Sequence, residues 1–294
     1  MALEERDPHS GYLTTGHEWN GIKELNRAVP RPIYVFLTLA VLFSVGYWVL
    51  MPAWPIGSTY TKGLLGVDQR TTVDASLKAA ELDRASWASR IEQADFAAIQ
   101  RDPALMRRVR QTGRTLFGDN CAACHGRNAA GNTEIGAPNL TTNAWLWGGT
   151  TEAIAQTIRV GINSPHPDTR VSQMPAFGRD QIIPRDDVES VVAYVYALSH
   201  PGATGAAPQL VEAGKMVFAA NCISCHGETA TGNVEVGAPN LTDRFWLHGG
   251  DAPSIYTTVW NGRQGHMPSW DGRLSAIDRK ILTLYVFDLR NYEQ

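Results

Sequence analysis

The chain contains two copies of the motif Cys-x-x-Cys-His, whose residue types and spacing are suited to redox chemistry. The first copy runs from Cys121 to His125 and the second from Cys222 to His226. Two thiols one helical turn apart can each form a thioether with a vinyl group of a porphyrin, and the histidine that follows can coordinate the iron. The motifs therefore predict two covalently bound haem c groups, with His125 and His226 as proximal iron ligands.

Cysteine pairs also occur in thioredoxin-like redox sites and in zinc sites, and both alternatives apply to a single motif. The four cysteines of the chain, Cys121, Cys124, Cys222 and Cys225, all lie in the two motifs, which leaves none for a structural disulfide. A four-cysteine zinc site would leave both histidines unused and would join pairs about a hundred residues apart. The cysteines are therefore predicted to attach haem.

An internal repeat extends well beyond the motifs. Residues 136–141 (GAPNLT) recur as residues 237–242, and Trp145 recurs as Trp246. A repeat of this length indicates two copies of one domain, each of ordinary single-domain size. We place the first copy at residues 103–202 and the second at residues 203–294.

Two methionines are the candidates for the sixth iron ligands. Met174 and Met267 each precede a proline in a loop about fifty residues after a haem motif, whereas Met106 and Met216 lie in predicted helices and are expected to fill the core. Eight extra residues before Met174 include His166, which is an alternative ligand. The shared Met-Pro pair favours Met174 for the first domain and Met267 for the second.

An apolar run near the N-terminus predicts a membrane anchor. Residues 33–51 (IYVFLTLAVLFSVGYWVLM) carry no charge and are long enough, as a helix, to cross a core of roughly 30 Å. The alternatives are a buried core helix and a cleaved signal peptide, but about thirty mostly polar residues precede the run. Lys23, Arg27 and Arg31 flank its start, so the positive-inside rule predicts a cytoplasmic N-terminus and periplasmic haem domains.

These features divide the N-terminal part of the chain into three segments. Residues 1–30 form a cytoplasmic segment, residues 31–54 the transmembrane anchor, and residues 55–102 a linker and helical arm. The net charge of −3 gives no indication of nucleic-acid binding.

Helical signals recur in the same order in both copies. Asp102-Pro103 and Pro208 predict helix starts before the motifs, and apolar periodicity predicts closing helices at residues 187–199 and 276–290. The order helix, motif, loop, helix, methionine loop and helix resembles class I cytochrome c. The resemblance implies a mainly α chain with one N-terminal transmembrane helix followed by two tandem class I cytochrome c domains. In that fold the first and last helices of each domain cross.

The N-terminal residues 17–26 (HEWNGIKELN) are similar to the signature of subunit III of cbb3-type cytochrome c oxidases. The resemblance implies a dihaem subunit in the bacterial inner membrane that carries electrons from a donor cytochrome c, through a monohaem c subunit, to a haem–copper catalytic subunit. Membrane lipid would surround the anchor. Trp19, Ile22 and Leu25 are then expected to bury against a membrane partner.

Two other function classes share parts of this pattern. A free-standing membrane-anchored dihaem carrier would need everything after Pro52 but not residues 17–26. A dihaem peroxidase would need an iron with an open distal face, whereas two methionine loops predict two protein ligands on each iron. We therefore expect no catalytic site in this chain.

Overall fold

The computed structural model describes residues 5–202 and 207–290, which form two compact units that meet between Asp83 and Arg84. The helices are α1 (Arg31–Leu50), α2 (Gln69–Gln93), α3 (Phe96–Arg101), α4 (Pro103–Asn120), α5 (Ala122–His125), α6 (Thr151–Val160), α7 (Arg185–Ser199), α8 (Pro208–Asn221), α9 (Ile223–His226), α10 (Ala252–Asn261) and α11 (Ala276–Leu289). Two antiparallel hairpins pair β1 (Thr14–Trp19) with β2 (Ile22–Leu25) and β3 (Pro55–Ile56) with β4 (Thr59–Tyr60). The predicted domain boundary adjoins residues 203–206, which lie outside the described residues.

The N-terminal unit contains an unexpected hairpin before the apolar helix. Asn20 and Gly21 join β1 to β2 with φ of 51° and 85°, the left-handed conformation that a tight hairpin turn requires. The Asn-Gly pair was visible in the sequence, but no hairpin was predicted there. Helix α1 follows, and it is the helix of the described residues that is long and apolar enough to cross a membrane.

Helix α2 begins at Gln69, six residues before Ala75, where the apolar helical spacing of the sequence begins. The Asp68 carboxylate explains the earlier start, because it accepts a hydrogen bond from the Arg70 N–H and another from the Tyr60 hydroxyl. The apolar side chains of α2 are only partly buried. Leu77 is exposed, whereas Ile91, in the part of α2 that belongs to the haem-motif unit, is fully buried.

The two halves of the haem-motif unit exchange their closing helices. α11, at the end of the chain, packs on α4 and α6 of the first half, and α7, which closes the first half in sequence, packs on α8 and α10 of the second. The predicted crossing of first and last helices is therefore present, but each last helix comes from the other half. The expectation that each half closes on itself was wrong.

Small and aromatic residues form both crossings. Gly113 of α4 lies against Tyr285 of α11, where an added Cβ would be 2.6 Å from the tyrosine Cβ, and Gly214 of α8 lies against α7. The ring centroids of Phe117 and Tyr285 are 5.7 Å apart, and those of Phe218 and Tyr194 are 5.4 Å apart. Because both halves carry the same glycine and aromatic positions, either closing helix fits either first helix, and the sequence pattern does not distinguish the two arrangements.

The chain segments that exchange their closing helices pair with each other in the loops that follow α6 and α10. Ile162 and Met267 form two backbone hydrogen bonds, each of 2.9 Å, and Met174 and Arg263 form two of 2.8 and 3.0 Å. Met267 is thus held by Ile162, which follows Gly161 at the end of α6 in the first half. Met174 is held by Arg263, which follows Gly262 at the end of α10 in the second half.

Candidate haem sites

Each Cys-x-x-Cys-His motif forms a short helix at the end of a longer one. The Cys121 N–H continues the α4 ladder by donating to Phe117, α5 makes one further turn, and Gly126 ends it with φ of 77°. Cys222 and Gly227 repeat this arrangement after α8. The turn places the two thiols and the imidazole of each motif beside one cavity.

Burial disfavours ionisation of the first cysteine of each motif. It raises the pKa of Cys121 and of Cys222 to about 11, so both are neutral thiols at physiological pH. Zinc binds the thiolate form, whereas a thioether bond to a porphyrin carries no charge. Among the described residues, moreover, no group of three or more His, Cys, Asp or Glu side chains lies together as a zinc site would require.

A main-chain carbonyl orients each histidine. The Nδ1–H of His125 donates to the Pro138 carbonyl oxygen at 3.1 Å, and that of His226 donates to the Pro239 oxygen at the same distance. Burial lowers the pKa of both imidazoles, although the hydrogen bond partly opposes it. The neutral ring has Nε2 available for a metal, which is the usual arrangement of a metal-binding histidine.

The repeated GAPNLT segment positions these carbonyls. Asn132 and Ala137 form two backbone hydrogen bonds across the loop, and Gly131 lies so close to it that an added Cβ would be 2.6 Å from the Ala137 oxygen. The Asn139 side chain then fixes the next turn by accepting from the Thr141 N–H at 2.9 Å. The repeat of this segment was evident in the sequence, but its role in orienting the histidines was not.

Both sites open into one continuous cavity of about 520 Å³. Its lining includes both cysteine pairs, both motif histidines and both candidate methionines. Met267 and Cys121 pack against one hydrophobic cluster, and Met174 and Cys222 pack against the other. The structure therefore brings Met267 together with the first motif and Met174 with the second, opposite to the pairing predicted from chain order.

His166, the alternative ligand, and two further histidines, His248 and His266, lie in different surroundings. His166 is not in the cavity wall: its Nε2 is 3.4 Å from Asp271, and its Nδ1 accepts from the Asp168 N–H at 3.0 Å. His248 and His266 do line the cavity. His248 packs on Gly136 of the first half, and burial lowers its pKa.

The methionines expected to fill the core differ from each other. Met106 is buried in α4, as predicted, but Met216 in α8 is 72% exposed, so that prediction was wrong. Its neighbours Gly214 and Phe218 form the buried face of α8, and Met216 lies between them on the other side.

The chemistry of the cavity walls fits a porphyrin. Its walls are mostly apolar, yet Trp145, Trp147 and Trp246 each bury an indole N–H that has no hydrogen-bond partner in the described part of the chain. Buried donors of this kind normally have a partner. Haem would supply both an apolar ring system and propionate carboxylates that accept hydrogen bonds, and its iron would exchange single electrons.

Comparisons with known proteins agree with this site. Residues 11–58 match the model of the N-terminal domain of cytochrome oxidase-cbb3, FixP; residues 111–199 match cytochrome c; and residues 209–286 match cytochrome c oxidase, cbb3-type, subunit III. The chain thus contains two cytochrome c domains in tandem, and such domains bind haem c.

Full-length relatives carry corresponding names. The chain is 44% identical over 285 residues to the cbb3-type cytochrome c oxidase subunit FixP of Bradyrhizobium sp. (strain ORS 278), with 97% of each chain covered. It is 41% identical to subunit CcoP of Azospirillum brasilense, covering 98% of this chain and 99% of that one. It is 43% identical to subunit CcoP of Rhodobacter capsulatus, covering 94% and 95%.

Proposed function

The chain belongs to the family of cbb3-type cytochrome c oxidase subunits named FixP or CcoP, and from this premise we propose that it passes single electrons from a donor cytochrome c towards a haem–copper catalytic subunit. The observation that carries the proposal is the continuous cavity lined by both haem motifs and both methionine loops. Two redox groups in adjoining parts of one cavity form a path for electrons through the unit.

We propose that four residues bind each of two haem c groups. Cys121 and Cys124 attach the first, with His125 and Met267 as iron ligands. In the second, Cys222, Cys225, His226 and Met174 have these roles. Two protein ligands leave no position on the iron for a substrate, so each site exchanges electrons without making or breaking bonds in a substrate.

The chain's own groups prepare these sites for fast electron exchange. The Pro138 and Pro239 carbonyls hold the imidazoles in one orientation, and the backbone pairs Ile162–Met267 and Arg263–Met174 hold the methionine loops. Apolar walls exclude water from the ligands. A rigid, dry site reorganises little when the iron changes oxidation state.

We further propose that α1 anchors the chain in the bacterial inner membrane. The basic residues at the start of the helix support a cytoplasmic N-terminal hairpin and a periplasmic haem-motif unit, because positive charge favours the cytoplasmic side. The specific partners are a monohaem c subunit, the haem–copper subunit and a donor cytochrome c. An N-terminal hairpin that carries no haem ligand supports assembly into a complex rather than a free-standing carrier, since a carrier has no use for it.

Purification of the tagged full-length chain from its own membranes in mild detergent tests this function. We expect two covalent haems per chain, copurification of a haem–copper subunit and a second haem-staining subunit, and oxygen consumption with reduced cytochrome c. Copurification of neither subunit would favour the free-standing carrier. Turnover of peroxide by the isolated chain would favour the peroxidase.

A further inference from the structure

One asparagine side chain contacts both methionine loops. The Asn163 Nδ2 donates to the Ser172 carbonyl oxygen at 2.8 Å and to the Gly265 carbonyl oxygen at 2.7 Å. The Asn163 Oδ1 accepts from the Ser172 N–H at 3.2 Å. Ser172 precedes Met174 by two residues, and Gly265 precedes Met267 by two residues. The amide therefore joins equivalent positions of the two loops.

This amide uses every hydrogen-bonding group that it has. An asparagine side chain offers two N–H donors and one carbonyl acceptor, and all three are paired at Asn163. Ser172 and Gly265 line the cavity, but Asn163 does not. Any effect of Asn163 on an iron ligand must therefore pass through the two loops.

The backbone around Asn163 fixes the direction of its side chain. Its φ of 49° lies in the left-handed region, which asparagine adopts more readily than most residues with a side chain. The Asn163 N–H donates to the Arg170 carbonyl oxygen at 2.7 Å, across the loop of extra residues. Within that loop, the buried Ser164 donates through its Oγ to the Val160 carbonyl oxygen at the end of α6, also at 2.7 Å.

The second half has no counterpart to this amide. Gln264 follows Arg263 as Asn163 follows Ile162, but Gln264 is exposed. Within the described part of the chain its side chain makes no hydrogen bond. Both methionine loops thus depend on one side chain that the first half alone supplies.

We propose that Asn163 is a positioning residue that holds both methionine loops against the two irons. This inference rests on the proposed function, because it needs haem in the cavity and both methionines as iron ligands. A competing ligand displaces a methionine only when its loop moves, and movement of either loop breaks a hydrogen bond to Asn163. Removal of the amide should therefore make displacement easier at both irons.

Titration of the ferric full-length chain with imidazole in detergent tests the proposal. Imidazole replaces methionine on the iron and removes the methionine–iron charge-transfer band. In Asn163→Gly the imidazole concentration at half loss should fall about three- to tenfold, the shift that one lost hydrogen bond per loop produces. The whole amplitude of the band should shift, because both loops are released. Glycine keeps the left-handed conformation without strain.

Two control variants separate this effect from changes of the backbone or of one loop. Gln181→Gly makes the same backbone change at an exposed residue with φ of 56°, and it should leave the titration unchanged. Ser269→Ala removes a hydrogen bond of 2.7 Å from Ser269 Oγ to the Arg159 carbonyl oxygen. That bond holds only the Met267 loop, so half of the amplitude should shift.

A second variant covers the case in which Asn163→Gly does not fold. Asn163→Asp keeps the shape of the side chain, and its carboxylate cannot donate to the Ser172 and Gly265 carbonyls. It should shift the whole amplitude in the same direction as Asn163→Gly. Methionine and imidazole are both neutral ligands, so the added charge does not by itself favour either one.

The outcomes distinguish this inference from the proposed function. An unchanged titration in the folded Asn163 variants, a shift of only half the amplitude, or an equal shift in Gln181→Gly would overturn the role of Asn163 and leave the electron-transfer role intact. A wild-type chain without two covalent haems would instead contradict the proposed function itself.

Discussion

A main-chain carbonyl orients each candidate proximal histidine from thirteen residues further along the chain. The histidines themselves were predictable, because the cysteine spacing and the adjacent imidazole define a haem motif. The carbonyls of Pro138 and Pro239 were not, because a main-chain acceptor carries no residue type. The repeat of the segment around them was the available signal.

Replacing a methionine ligand tests the chemistry of one iron. Met267→His should leave both haems covalently attached and lower one midpoint potential, because a thioether favours ferrous iron more than an imidazole does. We expect a fall on the order of 100 mV, within the roughly 0.8 V that axial ligands span. Redox titration measures it. Retention of the methionine–iron charge-transfer band of both haems would contradict the assignment of Met267.

Helices that follow strong local signals were predicted well. Helix α4 begins at Pro103, as expected, with the Asp102 carboxylate accepting from the N–H groups of Ala104 and Leu105, and α11 begins at Ala276, also as expected. The partner of each closing helix was predicted incorrectly. Packing between helices depends on long-range geometry, which matching glycine and aromatic positions in two repeats cannot determine.

A substitution of Gly214, where α8 crosses α7, tests the observed packing of these two helices. A Cβ at Gly214 would lie 1.9 Å from the Ser190 carbonyl oxygen, so Gly214→Ala must push α7 away from α8. We expect Gly214→Ala to lower the free energy of unfolding by about 1–3 kcal/mol. Thermal unfolding followed by the haem spectrum measures the loss.

Gly118 in α4 is the matched control for this variant. No heavy atom lies within 4 Å of the position of its missing Cβ, so Gly118→Ala should be neutral or stabilise by up to about 1 kcal/mol. Equal stability of the two variants would mean that α7 and α8 are not in close contact.

Substitutions in the N-terminal hairpin test whether this segment contributes to assembly with the oxidase. Trp19 and Ile22 are directly paired across it and are 70% and 74% exposed, whereas Leu25 is half-buried. Replacing Trp19 and Ile22 by serine should leave both haem spectra intact and reduce copurification with the oxidase, because exposed apolar pairs are typical of binding surfaces.

Ile56 on the second hairpin is similarly exposed, and Ile56→Ser serves as the control. Unchanged copurification and oxidase activity in the Trp19 and Ile22 variant would show that the hairpin does not contribute to assembly. That result would again favour a free-standing carrier.

The complete haem-motif unit depends on both halves at once. In the proposed arrangement the first site takes Met267 and lies against α11 from the end of the chain, and the second takes Met174 and lies against α7 from the middle. The sequence predicts two haems and eight binding residues with the methionines paired in chain order, whereas the structure packs each methionine against the hydrophobic cluster beside the other half's motif. An exchange of equivalent segments leaves the composition of each site unchanged, so nothing local in the sequence reveals it.

The exchange of methionines is tested most directly in a chain that carries only its first haem. Cys222→Ala and Cys225→Ala together remove the second attachment site from the full-length protein, and Met267→Ala or Met174→Ala is then added. The methionine–iron charge-transfer band is the measurement. We expect Met267→Ala to abolish the band and Met174→Ala to retain it, whereas loss of the band only in Met174→Ala would show that each half binds its haem by itself.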